Sequence, residues 1–152
     1  MEDLSLHILD IAENSIAAAA KRIEIKINED KDKDLLTIEI IDNGNGMDQE
    51  TLNKALDPFF TTRTTRKVGL GLPLLAQAAR ESGGKIELSS EPRRGTTVKA
   101  IFRLSHPDCK PMGNINETIR TLVASHPEVD FIYEHQKDNS MYRFDTRQTC
   151  RK

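Results

Sequence analysis

The chain has 152 residues, of which 37% are hydrophobic and 30% charged, with no Trp and a net charge of −2. That length supports one domain with a real core and at most a small appendage; the hydrophobic share excludes a disordered tail, and the balanced charge leaves no electrostatic footprint for nucleic acid. No apolar run approaches the ~20 residues of a membrane span and no signal-peptide pattern opens the chain, so a cytoplasmic protein without a membrane partner is expected.

Residues 2–20 read as a helix, because Leu4, Ile8, Ile11, Ser15 and Ala19 recur at steps of three and four and Ala17 to Ala20 favour helix. Asp10 and Asn14 are four apart and lie one above the other on the opposite face. An Asn carbonyl oxygen is a hard ligand suited to Mg²⁺, and a carboxylate one turn away can orient or deprotonate a nucleophile. The same pair also fits an ordinary solvated helix face. Glu13, the competing acid, points about 100° away from Asn14.

The segment 22–27 alternates strictly and reads as a half-buried strand; 29–34 is a charged turn, and 36–41 is a second strand paired to the first in a hairpin. After it comes Asp42-Asn43-Gly44-Asn45-Gly46-Met47. Its glycines let the backbone turn and let a flat ring approach with no Cβ in the way, and a carboxylate held there can accept from an adenine amine. Asn, Asp and Gly are equally the residues of a plain turn.

A short helix is expected from Asp48 towards Ala55, then a Thr- and Arg-rich loop over 57–68. Gly69-Leu70-Gly71-Leu72 opens a helix over 71–82, stopped by Gly83 and Gly84. The exposed N–H groups and dipole of such a start favour phosphate, and Thr61, Thr62, Arg63, Thr64, Thr65, Arg66 and Lys67 add hydroxyls and cations. A helix start chosen for its turn alone reads the same way. Strands follow over 85–90 and 96–104. Pro107, Pro111 and Gly113 mark a boundary, giving a main unit over 1–104 and a small extension over 105–152. In the extension, 115–125 reads as a helix, and 129–134 and 141–145 as a hairpin rich in aromatics, which either covers the main core or offers a docking surface. Cys109 and Cys150 lack a CxxC neighbour, and no histidine has metal-ligand spacing with them; two reduced thiols are expected, and a redox-sensing role has only these two residues behind it.

Asp10 to Ser15, Asp42 to Met47 and Gly69 to Leu72 resemble, in order, the N, G1 and G2 boxes of the GHKL superfamily of gyrase, Hsp90, histidine kinase and MutL. Leu56-Asp57-Pro58-Phe59-Phe60-Thr61-Thr62-Arg63 is similar to the F box and short lid of bacterial sensor histidine kinases. Ser82-Gly83-Gly84-Lys85-Ile86 and Gly95-Thr96-Thr97 match the stretches that follow the lid. The likeness covers residues 4–104 and is strongest to the catalytic domains of sensor histidine kinases and anti-sigma factor kinases. It implies an α/β fold: a two-layer Bergerat-type sandwich whose mixed, mostly antiparallel sheet is covered by helices on one face, with ATP between helices and lid.

Carried over by position, the resemblance implies that Asn14 ligates Mg²⁺ and that Asp42 binds the adenine amine. Gly44, Gly46 and Met47 would surround the ring with Thr97 nearby, and Gly69, Leu70, Gly71 and Leu72 would meet the phosphates. Phe60, Thr61, Thr62, Arg63 and Lys67 would close over them from the lid. Asp10 falls at the acidic general base of gyrase-like and anti-sigma kinase members. Three positions depart from the pattern: the base is Asp where Glu or Asn is usual; Ala17 stands where many histidine kinases have Lys, with Lys21, Arg63 or Lys67 as substitutes; and Lys67 replaces a frequent Gly. His7, one turn before Asp10, would sit too near the pocket wall to receive a phosphate. No helical pair with a phospho-acceptor histidine precedes residue 4, so the acceptor is expected on a partner protein. Two functions follow: a stand-alone kinase-like protein that transfers the γ-phosphate of Mg-ATP to that partner, or a non-catalytic ATP-dependent switch.

Overall fold

In the computed structural model, which describes residues 3–46, 71–109 and 111–146, the chain forms α1 (Leu4–Ala17), β1 (Arg22–Asp30), β2 (Leu35–Asp42), α2 (Gly71–Glu81), β3 (Lys85–Glu91), β4 (Gly95–Arg103), α3 (Ile115–Ser125), β5 (Asp130–Lys137) and β6 (Ser140–Asp145). The six strands make one sheet in the order β3-β4-β2-β1-β5-β6. Every neighbouring pair is antiparallel except β1 and β5, which are parallel. This is the mixed, mostly antiparallel α/β architecture expected.

Alternation sorts the strands into two faces. Ile23, Ile25 and Ile27 of β1, Leu36, Ile38 and Ile40 of β2, and Val98, Ala100 and Phe102 of β4 are all buried in one core with Leu4, Ile8 and Ile11 of α1, Leu75, Ala78 and Ala79 of α2, and Ile119 and Leu122 of α3. The intervening Glu24, Lys26, Thr37, Glu39 and Lys99 occupy the opposite face, half-exposed. The described helices therefore cover a single side, and a cleft between one of them and a strand end opens there.

Element ends differ from expectation for local reasons. α1 stops at Ala17, not Ala20: Ala19 takes a φ of 68°, and the Ala20 N–H closes back on the Ser15 carbonyl, turning the chain into β1. The charged run 29–34 is only partly a turn. Glu29 and Asp30 stay in the ladder opposite Leu36 and Leu35. Asp30 accepts from the Lys33 N–H, and Asp34, at a φ of 60°, is held by the Ser105 N–H and hydroxyl at 2.9 and 2.7 Å. Polar residues 134–137 extend β5 in the same way, paired between β1 and β6. The expected helix at 48–55 and loop at 57–68 lie outside the described residues.

Residues after 105 add α3, β5 and β6 to the same two layers. The Leu4 and Ser5 N–H groups, at the start of α1, donate to the carbonyls of Pro111 and Met112 at 2.9 Å each. At the other end of the helices, His126, the C-cap of α3, meets the Glu13 carboxylate at 3.1 Å. α3 therefore runs parallel to α1, as β5 runs parallel to β1.

The turn between β3 and β4 is where the backbone is least forgiving. Gly95 has a φ of 113°, and a Cβ there would collide with the Asp42 carbonyl. Gly95→Ala is expected to cost about 2 kcal/mol, read as a lower urea midpoint with an unchanged slope.

Candidate functional site

Asp42 is the last residue of β2, and strand parity puts its side chain on the helix side, two positions beyond the buried Ile40. Three elements hold its carboxylate. The Ser15 hydroxyl of α1 donates to Oδ2 at 2.6 Å. The Gly44 N–H donates to Oδ1 at 2.9 Å, and the Thr96 N–H of β4 donates to the same oxygen at 3.2 Å. An ionised carboxylate accepts at about four lone-pair positions. Three are taken, so the half-buried group keeps room for one donor arriving from the cleft.

The glycine loop is fixed from both sides. Asn43 Oδ1 accepts from the Lys21 and Arg22 N–H groups at 2.8 and 2.9 Å, tying the loop to the start of β1. The Asn45 N–H donates to the Ala18 carbonyl at 2.8 Å. At Gly46, with a φ of 71°, a Cβ would strike the Glu91 carbonyl; at Gly44 it would come within 2.8 Å of the Ala18 carbonyl. The missing Cβ atoms thus admit neighbouring backbone, whereas the composition suggested room for a flat ring. Beyond the loop, the Ser90 hydroxyl lies 2.8 Å from Thr96 Oγ1 and also bonds the Gly95 carbonyl.

On α1, Asp10 is exposed and Asn14 half-buried, one turn apart, with buried Ser15 next in sequence reaching Asp42. Glu13 turns away to His126. His7, one turn before Asp10, is buried at 2% exposure. α2 is described from Gly71; of the Leu72 side chain nothing is described. Thr97 pairs with Ile41, so its side chain stands on the far face of the sheet, while Thr96, opposite Asp42, is on the site side. Met47, Phe60, Thr61, Thr62, Arg63, Lys67, Gly69 and Leu70 lie outside the described residues. Around Asp42 the structure gathers Gly44, Ser15 and Thr96, with Asn43 tying the loop to β1; Ser15, Asn43 and Thr96 were not singled out by sequence reasoning. Strand parity counted back from Asp42 would have pointed to Thr96; Ser15 and Asn43 carry no comparable signal.

Cys109 is half-buried, and its burial, with the Asp34 and Glu29 carboxylates nearby, pushes the thiol above its ordinary pKa. That keeps it a protonated, weak nucleophile. No helix among the described residues is long and apolar enough to cross a membrane.

The sequence model of the histidine kinase-, DNA gyrase B- and HSP90-like ATPases matches residues 2–106. The sensor protein kinase FleS of Pseudomonas aeruginosa is 39% identical over 97 residues, 64% of this chain and 24% of that protein. Sporulation kinase C of Bacillus subtilis is 31% identical over 96 residues, 63% of this chain and 22% of its own length. The nitrogen regulation protein NtrY of Azorhizobium caulinodans is 36% identical over 88 residues, 57% of this chain and 11% of that one. The chain thus spans a quarter or less of these relatives. Among solved structures, the Aquifex aeolicus MutL ATPase domain complexed with ADP superposes with a TM-score of 0.53 at 15% identity, covering 95% of this chain and 62% of that one. At that identity the likeness is one of fold.

Proposed function

The chain belongs to the family of histidine kinase-, DNA gyrase B- and HSP90-like ATPases, and on that premise we propose that it binds Mg-ATP and passes the γ-phosphate to a partner protein. The nucleotide half rests on Asp42. A carboxylate gripped by Ser15, Gly44 and Thr96, with one acceptor position left, suits the exocyclic amine of adenine. Guanine presents a carbonyl oxygen there, and two acceptors would face each other across a partly dehydrated gap. Adenine selectivity follows.

Asn14 fits a Mg²⁺ shared with phosphates, since its amide oxygen is a hard donor on the face that Asp10 occupies. The ion, when bound with nucleotide, supplies neutralisation of phosphate charge. Asp10 is the base for an attacking hydroxyl or water, one methylene shorter than a Glu would be. The N-terminus of α2, at Gly71, offers N–H groups and the positive end of its dipole to phosphate. Gly69, Leu70 and Leu72 complete that turn, and Phe60, Thr61, Thr62, Arg63 and Lys67 act from the lid, with Met47 beside the base. The setting proposed is the cytoplasm.

One residue favours the second reading, a nucleotide-gated switch without transfer. Ala17, exposed at the end of α1, offers no cation where many kinases that this chain resembles have Lys. Radiolabel release and transfer from γ-labelled ATP separate the two readings, because a switch binds without turnover.

Ser15→Ala removes one of the three donors on Asp42 and leaves the pocket's shape. It is expected to weaken ATP binding by about 1 kcal/mol, roughly fivefold by calorimetric titration, with adenine selectivity retained. Unchanged affinity would mean that the Ser15 contact does not orient the carboxylate.

A further inference from the structure

A second concavity lies on the helix side of the sheet, beyond β1. A cavity of about 580 Å³ opens between α3 and the β5–β6 hairpin, within the range of ligand pockets. α3 turns Ile119, Arg120 and Val123 towards it, and β6 contributes Tyr142 and Phe144. Tyr142 and its neighbour Met141 are 54% and 59% exposed, more than any other large hydrophobic side chain among the described residues. β6 is also the outermost strand of the sheet among those residues, paired only with β5. Among the described residues its other edge has no strand partner, and such an edge presents backbone N–H and C=O groups.

The groove's charge selects what can enter. No Asp or Glu lines it, whereas Arg120 and Lys137 do. Glu29 of β1, the cross-strand partner of Lys137, is engaged by a floor residue: its Oε2 lies 2.6 Å from His135 Nε2, and Tyr133 Oη lies 2.8 Å from His135 Nδ1. A carboxylate acceptor at Nε2 requires the ring proton there, and Nδ1 meets the Tyr133 hydroxyl. Burial keeps that hydroxyl protonated, its pKa pushed up to about 12. The polar groups of Tyr133, His135 and Glu29 are thus paired with one another.

The ends of the groove differ. α3 runs parallel to α1 and turns back through 126–129 into β5, so Arg120 and Lys137 lie towards the β5–β6 turn while Val123 and Phe144 lie towards the other end. Tyr, Met and Arg together are the residue types enriched at protein interfaces.

We propose that this groove takes an extended acidic segment of a partner protein, which adds a strand to the outer edge of β6 and sets its carboxylates against Arg120 and Lys137. Main-chain bonds to β6 supply affinity. Alternate side chains of the segment drop over Tyr142 and Phe144 towards Ile119 and Val123, which supplies specificity. This does not depend on the nucleotide assignment.

The test pans the whole 152-residue chain against a random twelve-residue peptide display library. Enriched peptides should alternate apolar side chains and carry Asp or Glu towards one end. A fluorescein-labelled synthetic copy should lose at least tenfold in affinity on Arg120→Glu, Lys137→Glu or Tyr142→Lys, all at exposed positions whose variants should melt like the parent. Lys85→Glu, on the far edge strand, should leave it unchanged. No enrichment, basic or patternless peptides, or an affinity indifferent to Arg120→Glu would overturn the proposal. So would a concentration-dependent dimer in sedimentation that Tyr142→Lys abolishes, which would assign the edge to a second copy. Groove binding of 8-anilinonaphthalene-1-sulfonate that the selected peptide fails to displace would assign the cavity to a small amphiphile and overturn it equally.

Discussion

Asp42→Asn is expected to weaken ATP binding by about 2–3 kcal/mol, some 30- to 150-fold in Kd, while the fold survives. The substitution is nearly isosteric. Its remaining oxygen can still accept from the Gly44 and Thr96 N–H groups, and the Ser15 hydroxyl at 2.6 Å can rotate to accept from the new amide. What changes is the side that faces the cleft. The free lone pair becomes an N–H, and the adenine amine then meets a donor instead of a charged acceptor. Calorimetric titration gives the affinity, and thermal unfolding without nucleotide shows whether the protein is otherwise intact. ATP affinity within threefold of the parent, in a protein that melts normally, would remove Asp42 from the adenine site.

Asp10→Asn is expected to act on turnover alone. Asp10 is one turn from Asn14 and exposed on α1, away from Asp42, so ATP affinity should stay within about twofold. Phosphate release or transfer should fall by roughly 10²–10⁴, the usual contribution of a general base. Glu13 is badly placed to substitute, because its carboxylate is held against His126 at 3.1 Å. Asp10→Glu, which lengthens the side chain, should retain measurable turnover. If Asp10→Asn turns over ATP at the parent rate, the base lies elsewhere. If the parent shows no turnover with any acceptor offered, the switch reading gains.

The sheet was readable where the chemistry is local. Strict alternation at Ile23, Ile25 and Ile27 fixes which residues face the core, and the same period locates Val98, Ala100 and Phe102. The helices over 71–81 and 115–125 follow from their punctuation: a glycine pair opening the first, and Asn114, whose side chain accepts from the Glu117 N–H, opening the second. The parallel contact of β1 with β5 had no such signal, because it depends on α3 packing beside α1 and joins residues about a hundred positions apart.

The site divides in the same way. Asp42 declares itself through its glycines, but the three groups that grip it come from α1, the loop and β4, and only folding brings them together. One step along β4 changes the face, so Thr96 stands beside Asp42 and Thr97 behind the sheet. His7 could have been read as buried. It lies three residues after Leu4 and four before Ile11, on the stripe that those two define. The glycines also have a structural reason that composition did not show: a Cβ at Gly44 or Gly46 would meet the carbonyl of Ala18 or Glu91.

The central claim is adenine-selective nucleotide binding through Asp42, and calorimetric titration of the chain with ATP and GTP, each with and without Mg²⁺, tests it most directly. The account predicts one site, ATP favoured over GTP by at least tenfold, affinity raised by Mg²⁺, and that preference lost in Asp42→Asn. Equal affinity for the two nucleotides, or no heat with either in a protein that unfolds cooperatively, would contradict it.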